Sequence, residues 1–166
     1  MSVPDFFGKY RGKVVNNQDP QGLGRVQVSV PAVLGEGGLA WAMPCVPYAG
    51  PGVGLFLVPP VDANVWVEFE AGQTNFPIVS GCFWSEGELF ADPPEPHVRA
   101  FKSDGVSLTI DDQSGGRVEL SVSGAIVGTD VRIVIDAEGV VIETGQGKLA
   151  IGTTEVAINR DGLVVR

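Results

Sequence analysis

Few residues in this chain could transfer a proton, attack a carbonyl or hold a metal, and those few are scattered. His97 is the single histidine. It follows Pro94-Glu95-Pro96 and reads as a surface or interdomain contact, not as a catalytic base. A zinc site would have to draw on Cys45, Cys82 or carboxylates, and no C-x-x-C or other ligand spacing joins them. Asp111 and Asp112 are neighbours, and adjacent residues on a strand point to opposite faces. With Gln113-Ser114-Gly115-Gly116 behind them they read as solvated turn carboxylates, a calcium site being the alternative. Ser80, Ser121 and Ser123 lie outside any G-x-S-x-G elbow and have no histidine base in reach of the pattern. Gly35, Gly37 and Gly38 lack the lysine and Ser/Thr that close a phosphate loop. These residues point away from an enzyme and imply no cofactor and no metal.

The elements around them are those of an all-β protein. The 166 residues include 23 glycines and 12 prolines without a Gly-X-Y period, and valine dominates the apolar positions. A net charge of −9 repels a phosphate backbone. The densest basic cluster, Lys9, Arg11 and Lys13, fits one solvent face of a strand. Cys45 and Cys82, each beside apolar residues in strand-like segments, are expected to be buried free thiols. No charged-then-apolar leader opens the sequence and no run of 18 apolar residues occurs, so synthesis in the cytoplasm without a cleavable signal is expected.

The two halves differ in pattern. In the first, strands are predicted at Tyr10–Asn16, 24–31, 41–46, 54–58, 64–70 and 77–84, separated by Gly- and Pro-rich loops. Val26, Val28 and Val30 alternate with Arg25, Gln27 and Ser29, and Val65, Val67 and Phe69 with Trp66 and Glu68. So few short strands leave their edges open unless they close into a small barrel. A domain is assigned to 1–90 and a proline-rich linker to 91–100, followed by a second domain at 101–166.

In the second half Val106, Leu108 and Ile110, then Val118, Leu120 and Val122, alternate with polar residues. Short strands follow at 131–136, 140–144, 149–152, 156–159 and 163–165. From 123 to 166 there is no Phe, Trp, Tyr or Met. A monomeric sheet of this make-up would expose an apolar face and two edges. Burial between chains is the better solution than a single-chain solenoid of few rungs. Ile133, Ile142 and Ile151 are expected in the trimer core.

Ordered residues of the first half resemble a known family. Gly24-Arg25-Val26-Gln27-Val28-Ser29-Val30-Pro31, Trp41-Ala42-Met43 with Pro47, Ala49 and Gly50, and Gly54 with Phe56, Leu57, Pro59 and Pro60 match it, as do Asp62, Val65, Val67, Phe69, Gly72, Pro77, Gly81 and Trp84. Together they are similar to the oligonucleotide-binding-fold (OB-fold) domain of phage baseplate assembly protein V and VgrG-like central spikes, over residues 8 to 86. Residues 104–120 resemble the start of that family's trimeric shaft.

The resemblance implies an N-terminal OB-fold barrel followed by a C-terminal intertwined trimeric β-helix or β-prism shaft, in a short form without a lysozyme or effector domain. It implies a structural central spike of a contractile phage-tail-like injection particle. Expected partners are two further copies of the chain, a central hub baseplate protein, a separate PAAR-like tip protein and, transiently, the target membrane. Trp41, Pro47, Pro51 and Phe56 are the hub-contact candidates, with core packing open for Trp41 and Phe56. Leu163, Val164 and Val165 are the tip-docking candidates. The alternative is a carbohydrate- or receptor-binding tail component in which Trp66 or Trp84 stacks on sugar.

Overall fold

A computed structural model describes residues 5–91, 94–113 and 115–159, and the backbone of 163–165. The chain divides into two units, Met1–Glu88 and Leu89–Arg166.

In the first unit β1 (Tyr10–Asn16), β2 (Val26–Ser29), α1 (Pro31–Leu34), β3 (Leu39–Pro44), β4 (Ala49–Gly50), β5 (Val53–Gly54), β6 (Asn64–Phe69) and β7 (Pro77–Phe83) follow in order. Five of these strands close a barrel in the order β1-β2-β3-β7-β6. Closure rests on two devices. Strand β1 pairs with both β2 and β6, and β3 runs parallel to β7 through Met43 opposite Ile78 and Pro44 opposite Val79. At Gly12, where β1 is shared, a Cβ would lie 3.0 Å from Val67 Cγ2 and 3.1 Å from the Ser29 carbonyl oxygen. Glycine lets the neighbouring strands approach closely at this position.

The alternation in the sequence fills the barrel. Val14, Val26, Val28, Val30, Ala42, Val65, Val67, Phe69 and Val79 form one buried cluster, each large member contributing roughly 1.5–3 kcal/mol relative to exposure. Phe6, Tyr10 and Phe69 add an aromatic group, with Tyr10 and Phe69 centroids 5.7 Å apart.

Two sequence expectations need correction in this unit. Cys45 and Cys82 are exposed, not buried. Cys45 follows the end of β3, and Cys82 lies beyond a register shift in the β6–β7 pairing, so neither points into the core. The strand expected at 54–58 is reduced to Gly54. Val53–Gly54 pairs only with Ala49–Gly50, as a small hairpin apart from the barrel, and 55–58 has no strand partner.

The second unit is a single antiparallel sheet. Its strands are β8 (Val98–Lys102), β9 (Val106–Asp111), β10 (Arg117–Val122), β11 (Val131–Asp136), β12 (Gly139–Thr144), β13 (Gly147–Gly152), β14 (Val156–Ile158) and β15 (Leu163–Val165), with the short α2 (Gly124–Val127) between β10 and β11. They lie in sequence order from β8 at one edge to β15 at the other. Residues 98–100, placed in the linker by composition, belong to β8. Asp136 pairs with Gly139 and Thr144 with Gly147, so two-residue turns join β11 to β12 and β12 to β13. Gly145 sits in the first position of its turn at φ 56°, the left-handed region such turns require.

Candidate assembly surfaces

Between Leu39 and Val61 the sequence carries no charged residue, and much of that stretch leaves the barrel. Tyr48, Val53, Leu55, Phe56 and Leu57 are exposed, Phe56 at 77%. Such a concentration of apolar surface is a candidate interaction site.

Its base is held firmly. Asp19, whose side chain is 4% exposed, accepts hydrogen bonds from the backbone N–H groups of Gln21, Leu23 and Arg25 and from the Arg25 guanidinium, the shortest at 2.7 Å. The Arg25 contact chiefly holds the Asp19 carboxyl well below the usual carboxylate range. Arg25 in turn lies 5.4 Å from the Trp41 ring centroid. Phe56 rests against Gly24, where a Cβ would come within 3.3 Å of its ring.

Of the four residues read as hub contacts, Phe56, Pro47 and Pro51 are therefore at the surface, and Trp41 is half-buried beneath Arg25. Phe56 is not a core residue. Tyr48, Leu55 and Leu57 belong to the same surface, and the uncharged run was the signal that would have found them.

The sheet presents a second apolar surface. Cross-strand pairing aligns Phe101, Leu108, Leu120, Ile133, Ile142, Leu149, Ile158 and Leu163 in one row. Ile110, Val118, Ile135, Val140, Ile151 and Val156 form the adjacent row on the same face. Ile133 and Ile142 are thus direct partners, while Ile151 shares their face one row away, opposite Val140. Phe101, Ile135, Ile142, Ile151 and Ile158 are all exposed in the single chain. Of Leu163, Val164 and Val165 only the backbone is described, so the side chains read as tip contacts lie outside the described residues.

The opposite face is ionic. Glu119 accepts bidentate hydrogen bonds from Arg132 at 2.8 and 3.0 Å and a further one from Arg117 at 2.8 Å. Glu143 bridges Arg132 and Lys148. Arg132 above all, then Arg117, pulls the Glu119 pKa down to about 2, and Lys148 lowers that of Glu143. Val134, 3% exposed, is the one buried hydrophobic residue among the described residues of this unit and lies on this ionic face, directly opposite Glu119. Arginine stems can shield apolar surface in this way.

The residues with chemical potential do not converge. His97 belongs to the second unit, with Nε2 3.6 Å from Asp111 and its carbonyl accepting from the Asp112 N–H. Asp112 pairs with Arg99. Among the described residues no group of three or more metal-ligating side chains comes together. Trp66 is packed against Phe83, ring centroids 4.7 Å apart, with Arg11 over it, while Trp84 is exposed.

Comparison with known families covers both units. Residues 10–84 match the type VI secretion system/phage-baseplate injector OB domain, and residues 99–164 match the phage baseplate V C-terminal trimerisation domain. The chain belongs to the phage baseplate V family. No curated protein matches it. The two domains of this baseplate V protein are structural baseplate domains, and the barrel order observed here is that of an OB fold. The trimerisation domain supports a homotrimer. In the baseplate V chain the row through Ile133 and Ile142, on a face that the single chain leaves uncovered, lies within that domain.

Proposed function

We propose that the protein is the central spike of a contractile phage-tail-like injection particle, a structural part and not an enzyme. The observation that carries this reading is the shape of the apolar face: about three residues wide along the strands but eight strands long. Seven strand spacings give a strip roughly 34 Å long. A narrow strip is best buried around an axis parallel to its length, each chain supplying one wall of a threefold prism. The ionic faces then point outward to water.

The barrels, which precede β8 in the chain, dock on a ring-shaped hub through the uncharged surface that includes Trp41, Pro47, Pro51 and Phe56. At the far end three β15 edges offer backbone donors and acceptors for strand addition, which suits a separate PAAR-like tip protein seated on Leu163, Val164 and Val165. The assembled shaft transmits force to the tip and meets the target membrane only during injection. The chain reaches its site of action as part of the particle's baseplate.

A symmetry-resolved single-particle reconstruction tests this. It should place the trimer on the central axis, with the barrels against a hub and additional density capping the β15 edges. A peripheral position, facing a receptor, would overturn the reading.

A further inference from the structure

The connection from β10 to β11 differs from the tight turns that join β11, β12 and β13. Residues 123–130 form an excursion that contains α2, and it is braced at both ends. Ser123 Oγ accepts from the Ala125 N–H at 3.2 Å, the Asp130 carboxylate accepts from the Gly124 N–H at 2.6 Å, and Gly128, at φ 86°, donates its N–H to the Gly124 carbonyl at 2.7 Å. This fixed turn nevertheless holds Ile126 61% and Val127 55% exposed. A loose loop can fold such side chains away, whereas a capped one keeps them projecting. One flank of Ile126 covers Gly105 in the β8–β9 turn, leaving no room for a Cβ there.

The excursion lies at one lateral margin of the sheet, where β10 ends and β11 begins. At the opposite margin of the same strands is a notch of about 290 Å³, with Ile110, Val118, Ile135 and Ala137 as its apolar lining and Asp111 and Asp112 at its side. Ile135 within it is 49% exposed, and the paired Arg117 and Asp136 border it at 3.2 Å. Projection and notch stand at the same height along the rows of the sheet, on opposite sides.

Threefold rotation about an axis parallel to those rows sets the margin of one sheet beside the opposite margin of the next, at equal height. Contacts of that head-to-tail kind close into a ring. We infer that α2 of each protomer seats Ile126 and Val127 in the Ile110–Val118–Ile135 notch of a second copy of this chain, clasping the three corners of the shaft. This rests on the threefold arrangement proposed above.

The test uses the full chain with Cys45→Ser and Cys82→Ser, carrying Val127→Cys and Ala137→Cys, both exposed positions in the single chain. Light scattering first establishes the trimer, and a short bis-maleimide is then added at high dilution. Covalent trimers on a denaturing gel are expected, with each single-cysteine variant giving uncross-linked chains. A trimer that yields no cross-linked species, or dimers from Val127→Cys alone, overturns the clasp and leaves the trimer standing. A monomer overturns both. As a second reading, Val127→Ser in the otherwise unaltered chain should raise the concentration at which trimers dissociate by about tenfold or more. An unchanged dissociation midpoint counts against the clasp.

Discussion

Ile133 on β11 and Ile142 on β12 stand directly opposite each other, between Leu120 and Leu149 in a row that runs the whole width of the sheet. An aspartate in either place would bring three uncompensated carboxylates together near a threefold axis, at a cost of several kcal/mol per ion. Ile133→Asp, Ile142→Asp and, one row away, Ile151→Asp should therefore give monomers or aggregates. Arg132→Ala and Glu143→Ala, on the ionic face, should retain the trimer. Sedimentation velocity at low micromolar concentration distinguishes these outcomes.

The ionic face should make the shaft sensitive to acid. Glu119 has a folded pKa of about 2 against an ordinary 4.5, so between those values the unfolded chain binds more protons than the folded one. Its stabilising contribution is complete above pH 4.5 and is lost as pH falls toward 2. Glu119→Gln should flatten the dependence of the shaft's melting temperature on pH within that window and leave the behaviour above pH 5 unaltered in slope. A pH series of thermal melts with both proteins checks it.

Asp19 makes a parallel case in the barrel. Its carboxyl is held below the usual range chiefly by Arg25, so its contribution too is present above the ordinary carboxylate pKa and fades on acidification. Asp19→Asn keeps the shape but removes the charge. It should lower the barrel's melting temperature at neutral pH while sparing trimerisation, as read by calorimetry and light scattering on the same sample.

Gly12→Val should unsettle the barrel specifically. The new side chain presses on Val67, Val30 and the Ser29 carbonyl, which a Cβ alone would already meet at 3.0, 3.2 and 3.1 Å, an overpacking cost of about 1–3 kcal/mol. Amide exchange should quicken in β1, β2 and β6 and stay unchanged in β9 to β13.

Gly139→Ala should loosen the β11–β12 hairpin. The backbone there holds φ at 137°, and a Cβ would press on the Ile151 carbonyl. Conformations of this kind cost about 1–3 kcal/mol for residues with a side chain, enough to appear as a lower trimer melting temperature.

Much of this fold is legible in the sequence where alternation is regular. Tyr10–Asn16 and Val131–Asp136 are strands over the residues the pattern marks, since polar and apolar residues there largely follow the pleat, with Val15 and Val134 the exceptions. Strand β8 escapes notice because Val98-Arg99-Ala100-Phe101-Lys102 follows a proline cluster and, as an edge strand, carries charge on both sides of its pleat. The exposure of Cys45 and Cys82 is equally hidden. It depends on where the barrel ends, and local composition does not report that.

The apolar row shows a subtler limit. Ile133, Ile142 and Ile151 are evenly spaced in the chain, which suggests translation from strand to strand. A hairpin reflects instead, and the turn at Gly145-Gln146 places Leu149, not Ile151, beside Ile142. The surface around Phe56 was visible only as an absence of charge. Which of its side chains project follows from the β4–β5 hairpin and the seat on Gly24.

Because every strand from β9 to β14 pairs only with its neighbours in sequence, the shaft can change length in discrete steps. Deleting or duplicating one hairpin moves the distal edge by two strand spacings, about 10 Å, and preserves the direction of every later strand and the face each side chain occupies. Removing a single strand would reverse all that follows it. The length of this unit is thus adjustable in whole hairpins, without redesign of the barrel.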